Sequence, residues 1–364
     1  VSVVVEPFVD AEHPADPYPG SVPVHSYAHH GGVGWPLLSD RTASAGWRVG
    51  DVDLDDWLAE RDAEPVAERV PLLTYGSNRN PAKLTWLREN LGLTGPVVLL
   101  RATTRDLAAV WAAGLRVRDG QRPATLCAAP GAVEEHSVWL ATPEQVRVLD
   151  RCEGRGERYR LVRLRTGSVV LEDGSLVDAP WAYTAATGVR LPLLVDGRPV
   201  RCADTAQDAA LALRGEAGPD GLDVSEVDGD AGADEWPDRV FVYGTLRPGA
   251  SAWSLISPLA IGEGRPATLP GTLHDTGRGY PALRLDGEFP VPGQVLTLRD
   301  PVTALARLDA YEGDEYRRVR VRLPDTSVCW AYVWASPDGL TGMPVLPHGW
   351  PQITTDRVLS SPSG

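Results

Sequence analysis

The chain has 364 residues, with 35 basic and 49 acidic side chains and a formal net charge of −14. At about 100–200 residues per domain this length predicts two domains, and an acidic chain lacks the clustered Lys and Arg that phosphate-backbone binding needs, so a nucleic-acid partner is excluded. No apolar run approaches the about 20 residues that span a bilayer and no basic-then-apolar leader opens the sequence, so no membrane partner is expected.

Residues 1–70 read as an N-terminal extension, Pro-rich at first. Four of the seven histidines fall here, His13, His25, His29 and His30, and in a Pro/Gly-rich stretch they read as exposed loop residues; a zinc site would need three or four convergent ligands. The extension closes on a short helix, because Leu54, Trp57 and Leu58 follow i, i+3, i+4 spacing behind Asp51 and Asp53, which suit a helix N-terminus. Residues 71–213 read as a first domain. It opens with an apolar strand running into Tyr75-Gly76-Ser77-Asn78. A helix follows, in which Asn80 caps, Pro81 takes the first position, and Leu84, Leu87 and Leu91 share a face. Ser137–Leu140 and Arg160–Arg165 read as strands, and a helical stretch around Asp208–Leu213 ends the domain. Residues 214–237 read as a linker: Gly, Asp and Glu dominate, and the eight acids from Glu216 to Glu235 are more than half of the net charge. Such a segment lacks the apolar surface to offset the entropy of ordering, so a solvated tether is expected. Residues 238–364 form a second domain. Arg318–Leu323 alternates as a strand with one wet face, and the tail Ser360–Gly364 is expected to fray. Cys127, Cys152, Cys202 and Cys329 make no CxxC pair, which removes a metal or redox motif and points to a reducing cytoplasm.

The two domains repeat each other. Tyr75-Gly76-Ser77-Asn78 corresponds to Tyr243-Gly244-Thr245-Leu246, and Arg122-Pro-Ala-Thr-Leu126 to Tyr280-Pro-Ala-Leu283. Leu149-Asp150-Arg-Cys-Glu153-Gly154 corresponds to Leu308-Asp309-Ala-Tyr-Glu312-Gly313. Tyr159 then matches Tyr316, and Trp181-Ala-Tyr183 matches Trp330-Ala-Tyr332. Tyr75 to Glu153 spans 78 positions and Tyr243 to Glu312 spans 69, so this is duplication with drift in loop length. Short strands with few helices predict an α+β fold in each copy, built on a small, strongly curved, barrel-like sheet.

Two features carry chemistry. A Gly just after a strand lets the backbone turn sharply and approach a ligand, and successive N–H groups in such a turn form a concave anion site. Glu153 and Glu312 each end a helical turn, where partial burial would raise the carboxyl pKa toward the range of a general base. Asp150 and Asp309 read as structural, capping or pairing with arginine, and Tyr159, Tyr316 and the two repeated tryptophans read first as core, with Tyr316 also a candidate for the pocket wall. No Walker loop, GxGxxG, GxSxG or HExxH is present, so a lone carboxylate facing a backbone anion site is what remains.

On these motifs both copies resemble the gamma-glutamyl cyclotransferase superfamily, including its AIG2-like proteins: a strand into Tyr-Gly-Ser/Thr-Asn/Leu, and later Leu-Asp-x-x-Glu-Gly followed by Tyr. The resemblance implies two tandem gamma-glutamyl cyclotransferase-like domains with the six-stranded barrel-like α+β fold. It implies an enzyme that needs no cofactor and no metal and acts on a small γ-glutamyl amine or amide. The substrate's α-amino group attacks its own γ-carbonyl, giving 5-oxoproline and a free amine, with Glu153 and Glu312 as bases. The binding residues it implies are Tyr75, Gly76, Ser77, Asn78 and Tyr159 in one copy, and Tyr243, Gly244, Thr245, Leu246 and Tyr316 in the other. Domain one has Leu161 where domain two has Arg318. A non-catalytic binding module on the same fold, or one working copy of the two, is the alternative expectation. Removal of a γ-glutamyl protecting group in a biosynthetic route would suit a chain with so large an extension.

Overall fold

The helices begin where the sequence supplies caps. In a computed structural model describing residues 6–351, Asn80 Oδ1 accepts from the Lys83 N–H at 2.8 Å and starts helix α1 (Pro81–Leu91). Thr142 and Gln145 form a capping box at the head of α2 (Pro143–Glu153), and Asp300 caps α3 (Pro301–Glu312). All three put proline in the first turn and end at a glycine with positive φ, Gly92, Gly154 or Gly313, where a side chain would be strained. The short helix Leu54–Ala59 forms as its spacing predicts, with Asp53 accepting from the Asp55 N–H at 2.9 Å. The stretch expected near Asp208 is helical over Gln207–Ala212. Among the described residues no helix is long and apolar enough to cross a membrane.

The chain divides into two units: the chain up to Asp40 with Ala45–Trp236, and Arg41–Ser44 with the chain from Pro237 on. In the first unit the strands of the repeat are β1 (Val70–Thr74), β2 (Val97–Trp111), β3 (Ala124–Ala141), β4 (Tyr159–Leu164) and β5 (Trp181–Ala185). They lie side by side as β4-β5-β1-β3-β2. The second unit has β6 (Arg239–Val242), β7 (Ala260–Asp275), β8 (Pro281–Leu298), β9 (Tyr316–Arg322) and β10 (Val328–Trp334). Their order, β9-β10-β6-β8-β7, is the same path. In both, the last strand runs parallel to the first (Trp181 opposite Leu72, Trp330 opposite Val240) and the other neighbours are antiparallel. A shared mixed path of this kind is what a duplication leaves behind. Among the described residues the path common to the two repeats has five strands, and in the first unit Ser168–Leu171 adds a sixth by pairing with β2 at Ala102–Arg105. The hairpin partners are long and bent: β7 and β8 pair from Ala260–Leu298 to Asp275–Pro281 through two register shifts, and β2 and β3 through one. Such irregularities bend a strand and raise its twist, which curves the sheet around its core. In the second unit Phe241, Leu269, Leu283, Val319 and Cys329 belong to that core. In the first, Trp139 and Trp181 are fully buried.

Three expectations about the connecting segments are corrected. The N-terminal residues do not stand apart from the first domain. Tyr27–His30 pairs with β2 at Val97–Leu99, and Val33–Ser39 and Trp47–Val49 continue the sheet outward. His29 is therefore no loop residue. It is 0% exposed, with Nε2 2.8 Å from Asp10 Oδ1, and burial lowers its pKa. The acidic stretch 214–237 is not a free tether either. Glu216–Ala217 pairs with Leu193–Val195, and Val224–Glu226 pairs with the edge of β4. Its acids meet arginines of the same unit, Asp223 with Arg165 and Asp230 with Arg147, so backbone pairing and charge supply what apolar area does not. The tail Ser360–Gly364 lies outside the described residues.

Candidate functional site

Each unit carries a cavity between the turn after its first strand and the end of its capped helix. The first, about 440 Å³, is bordered by Tyr75, Gly76, Ser77, Asn78, Glu153 and Tyr159. The second, about 270 Å³, is bordered by Tyr243, Gly244, Thr245, Leu246, Glu312 and Tyr316. Residues up to 84 positions apart in the first copy (Tyr75 and Tyr159) and 73 in the second (Tyr243 and Tyr316) thus converge.

Close approach constrains the turn glycines, severely at Gly244 and less so at Gly76. Neither has positive φ, but a Cβ on Gly244 would sit 2.8 and 2.9 Å from ring carbons of Pro281, and one on Gly76 would sit 3.1 Å from the Tyr18 hydroxyl. The repeated tyrosines brace the cavities. Tyr75 donates to the Tyr183 carbonyl and Tyr243 to the Tyr332 carbonyl, both at 2.7 Å. Tyr183 and Tyr332 in turn donate to Asp150 Oδ1 and Asp309 Oδ1 at 2.7 Å. Tyr159 donates to the Ala124 carbonyl at 2.9 Å and Tyr316 to the Pro281 carbonyl at 2.7 Å. Their rings face the cavities while their hydroxyls are taken up by the scaffold. Asp150 and Asp309 are structural as expected, and each has an arginine: Arg155 at 3.2 Å in the first unit, Arg318 at 3.0 Å in the second. Arg155, on the loop after α2, thus stands in for the arginine that Leu161 lacks.

The two glutamates close their helices, half-buried and open to the cavity. Burial pushes both carboxyls up, because the charged form loses solvation. Among the described residues no donor opposes this at Glu312, where the position of Asn78 is taken by the buried Leu246; burial first, then the nearby Asp309, raises it to about 7. Glu153 is also raised by burial, but Asn78 Nδ2 donates to its Oε1 at 2.7 Å, and Lys83, Arg158 and Arg190 act in the same downward direction. Asn78 Oδ1, buried and without a donor, is left as an open acceptor beside that carboxylate.

Several wall residues of the first cavity escape the motif reading. Tyr18 comes from the N-terminal stretch, its hydroxyl accepting from the Ala124 N–H at 3.0 Å and its ring lying 4.6 Å under Arg116. The loop carrying it is held by Asn80 Nδ2, which donates to the carbonyls of His13, Pro14 and Ser21 at 3.0, 3.1 and 2.6 Å. Lys83 sits 3.6 Å over the Trp86 ring. None of these recurs in the second copy, so the repeat that exposed the turn and the glutamates was blind to them. One signal was visible: Lys83 is the only lysine in the chain. Among the described residues no cluster of three or more His, Cys, Asp or Glu is arranged to hold a metal ion.

Residues 240–352 match the family described as gamma-glutamyl cyclotransferase, AIG2-like. No curated protein matches the chain by sequence. Among solved structures, a uropathogenic E. coli-specific protein is 17% identical, covering 30% of this chain and 87% of its own at a TM-score of 0.27. An AIG2-like protein from Mus musculus is 19% identical, covering 30% of this chain and 86% of its own at a TM-score of 0.23. YkqA from Bacillus subtilis is 16% identical, covering 74% of this chain and 84% of its own at a TM-score of 0.23.

Proposed function

Residues 240–352 carry a gamma-glutamyl cyclotransferase, AIG2-like domain, and from that premise we propose that both units are cyclotransferases releasing 5-oxoproline from γ-glutamyl amines or amides. The observation that carries the reading is the pairing, in both cavities, of a half-buried glutamic acid at a helix end with the Tyr-Gly turn. Glu153 or Glu312, ionised, takes a proton from the substrate's α-ammonium group. The freed amine attacks the γ-carbonyl carbon of the same residue, a C–N bond forms, and the five-membered ring closes. The bond to the leaving amine then breaks as the glutamic acid returns its proton to that nitrogen; the ring nitrogen, on becoming an amide, gives up its second proton to the regenerated carboxylate, which passes it on so that the amine leaves as an ammonium. Atoms and charge balance without cofactor or metal.

Ring closure is intramolecular, so holding one folded conformer supplies much of the rate. A carboxyl near 7 is a better base toward an ammonium than an ordinary glutamate and can still serve as the acid in the second half. The turn N–H groups suit the substrate's α-carboxylate. In the first unit, Asn78 Oδ1 supplies an acceptor for an ammonium proton that Glu153 does not take.

The test is direct. Wild-type protein incubated with a panel of γ-glutamyl amines and dipeptides should release 5-oxoproline. Glu153→Gln and Glu312→Gln should each remove one component, and the double variant should remove all of it. Turnover that survives in the double variant sinks the assignment of the bases. No turnover of any compound by wild type leaves a binding module as the reading.

A further inference from the structure

The two cavities share the elements that would hold a γ-glutamyl group, but the rest of their walls differ in charge. The first is bordered by Lys83, Arg116, Arg118, Arg151, Arg158 and Arg190, against the single carboxylate of Glu153. The second is bordered by Glu312, Glu315 and five tyrosines, and among its described residues by no Lys, Arg or His.

Some of the first set are already engaged. Arg116 is held by the Asp119 carboxylate at 2.6 and 3.0 Å, and Arg118 lies 3.6 Å from the same aspartate. Arg158 donates to the Cys152 carbonyl and Arg151 to that of Leu91. Arg190 differs. It is 6% exposed, borders the cavity, and its buried Nε and Nη1 have no hydrogen-bond partner. Its guanidinium carbon is 5.9 Å over the Tyr159 ring. A guanidinium buried without an acceptor is unfavourable until an anion reaches it, and a planar fork of donors suits a carboxylate or phosphate. In the second cavity Glu315 accepts from Tyr280 at 2.7 Å and pairs with Arg278, while among the described residues no cation acts on Glu312. Tyrosine rings with a carboxylate suit a cation.

What both cavities must hold, the glutamyl group, falls to what they share. What differs between them then reads the part that differs between substrates, the leaving amine. We propose that the two sites take γ-glutamyl compounds with leaving groups of opposite charge. The first takes an amine bearing an anion, a carboxylate or phosphate anchored by Arg190. The second takes an amine bearing a further cation. This rests on the cyclotransferase reading of both units.

Four substrates separate the cases: γ-glutamylglycine (carboxylate), γ-glutamyl-phosphoethanolamine (phosphate), γ-glutamylglycinamide (neutral) and γ-glutamylputrescine (cation). With Glu312→Gln silencing the second unit, kcat/KM for at least one anionic compound should exceed that for glycinamide and putrescine at least tenfold, and the better of the two identifies the anion. With Glu153→Gln silencing the first, putrescine should lead. In the Glu312→Gln chain, Arg190→Met should lower the anionic-to-neutral ratio at least tenfold, and Arg190→Lys should restore part of it. The same ranking in both backgrounds, or a ratio indifferent to Arg190, overturns the proposal while leaving the cyclotransferase reading standing. If no compound yields 5-oxoproline, that reading fails instead. The charge selection is then judged by calorimetry with the same four compounds, and anion binding that Arg190→Met does not weaken refutes it.

Discussion

The sharpest consequence of the site is that Asn78 sets the pH at which the first unit begins to work. Asn78 Nδ2 donates to Glu153 Oε1 at 2.7 Å, and Leu246 occupies the matching place beside Glu312. Asn78→Leu therefore imposes on one copy the chemistry of the other. A hydrogen bond to a charged group is worth about 1.5–3 kcal/mol. Part of that is retained when the acid is neutral, and part is screened at a half-buried carboxyl, so the low end applies. At about 1.4 kcal/mol per pKa unit, losing it raises the Glu153 pKa by about one unit. The sign follows from the donor: it stabilises the carboxylate, so its removal favours the acid. The base must be ionised, so the acid limb of kcat/KM moves to higher pH by about one unit, and activity well below the limb falls about tenfold. The assay is 5-oxoproline release from pH 5 to 9 in a chain carrying Glu312→Gln. Leu246→Asn in a Glu153→Gln chain is the reciprocal test, and its limb should move down from about 7. A limb that stays in place, or moves the other way, refutes the assignment of Glu153 as the titrating base.

Other outcomes follow from the same geometry. Glu312 is raised from 4.5 to about 7, so the folded state holds its proton more tightly than the unfolded one; that stability is complete below pH 4.5 and lost as pH rises through 7. Glu312→Gln should remove the loss, stabilising the second unit by about 2–3 kcal/mol at pH 8 and little at pH 4, read as urea midpoints at the two pH values. Gly244→Ala should push the turn off Pro281 and lower turnover by the second unit at least tenfold, measured in the Glu153→Gln chain, since its Cβ would lie 2.8 Å from the ring. Asn80→Ala removes a helix cap and three bonds to the loop bearing Tyr18. It should cost about 2–4 kcal/mol and open residues 13–21 to limited proteolysis; unchanged protection would mean that the loop is held by other contacts.

What the sequence determined by itself was everything carried by local pattern or by repetition. Asn80-Pro81 and the Leu84, Leu87, Leu91 stripe predict α1 because capping and 3.6-residue spacing act within one turn or two. The Tyr-Gly turns, Glu153, Glu312, Asp150 and Asp309 were legible because each occurs twice in the same order, and the common strand path of the two units follows from that duplication. Only the tertiary structure decided the rest. Strands of two and three residues, such as Glu216–Ala217 and Val224–Glu226, are too short to show a period, and an acidic stretch reads as a tether until its partner edge is known. His29 reads as a loop residue until strand pairing buries it. Tyr18, Lys83 and Arg190 lie far apart in the chain and recur in neither pattern nor repeat; they share one cavity wall because folding brings them there. A cavity's charge is a sum over residues that converge in space. A duplicated sequence could therefore announce two sites of one kind, while only the fold reveals that one is lined with cations and the other with carboxylates and tyrosines.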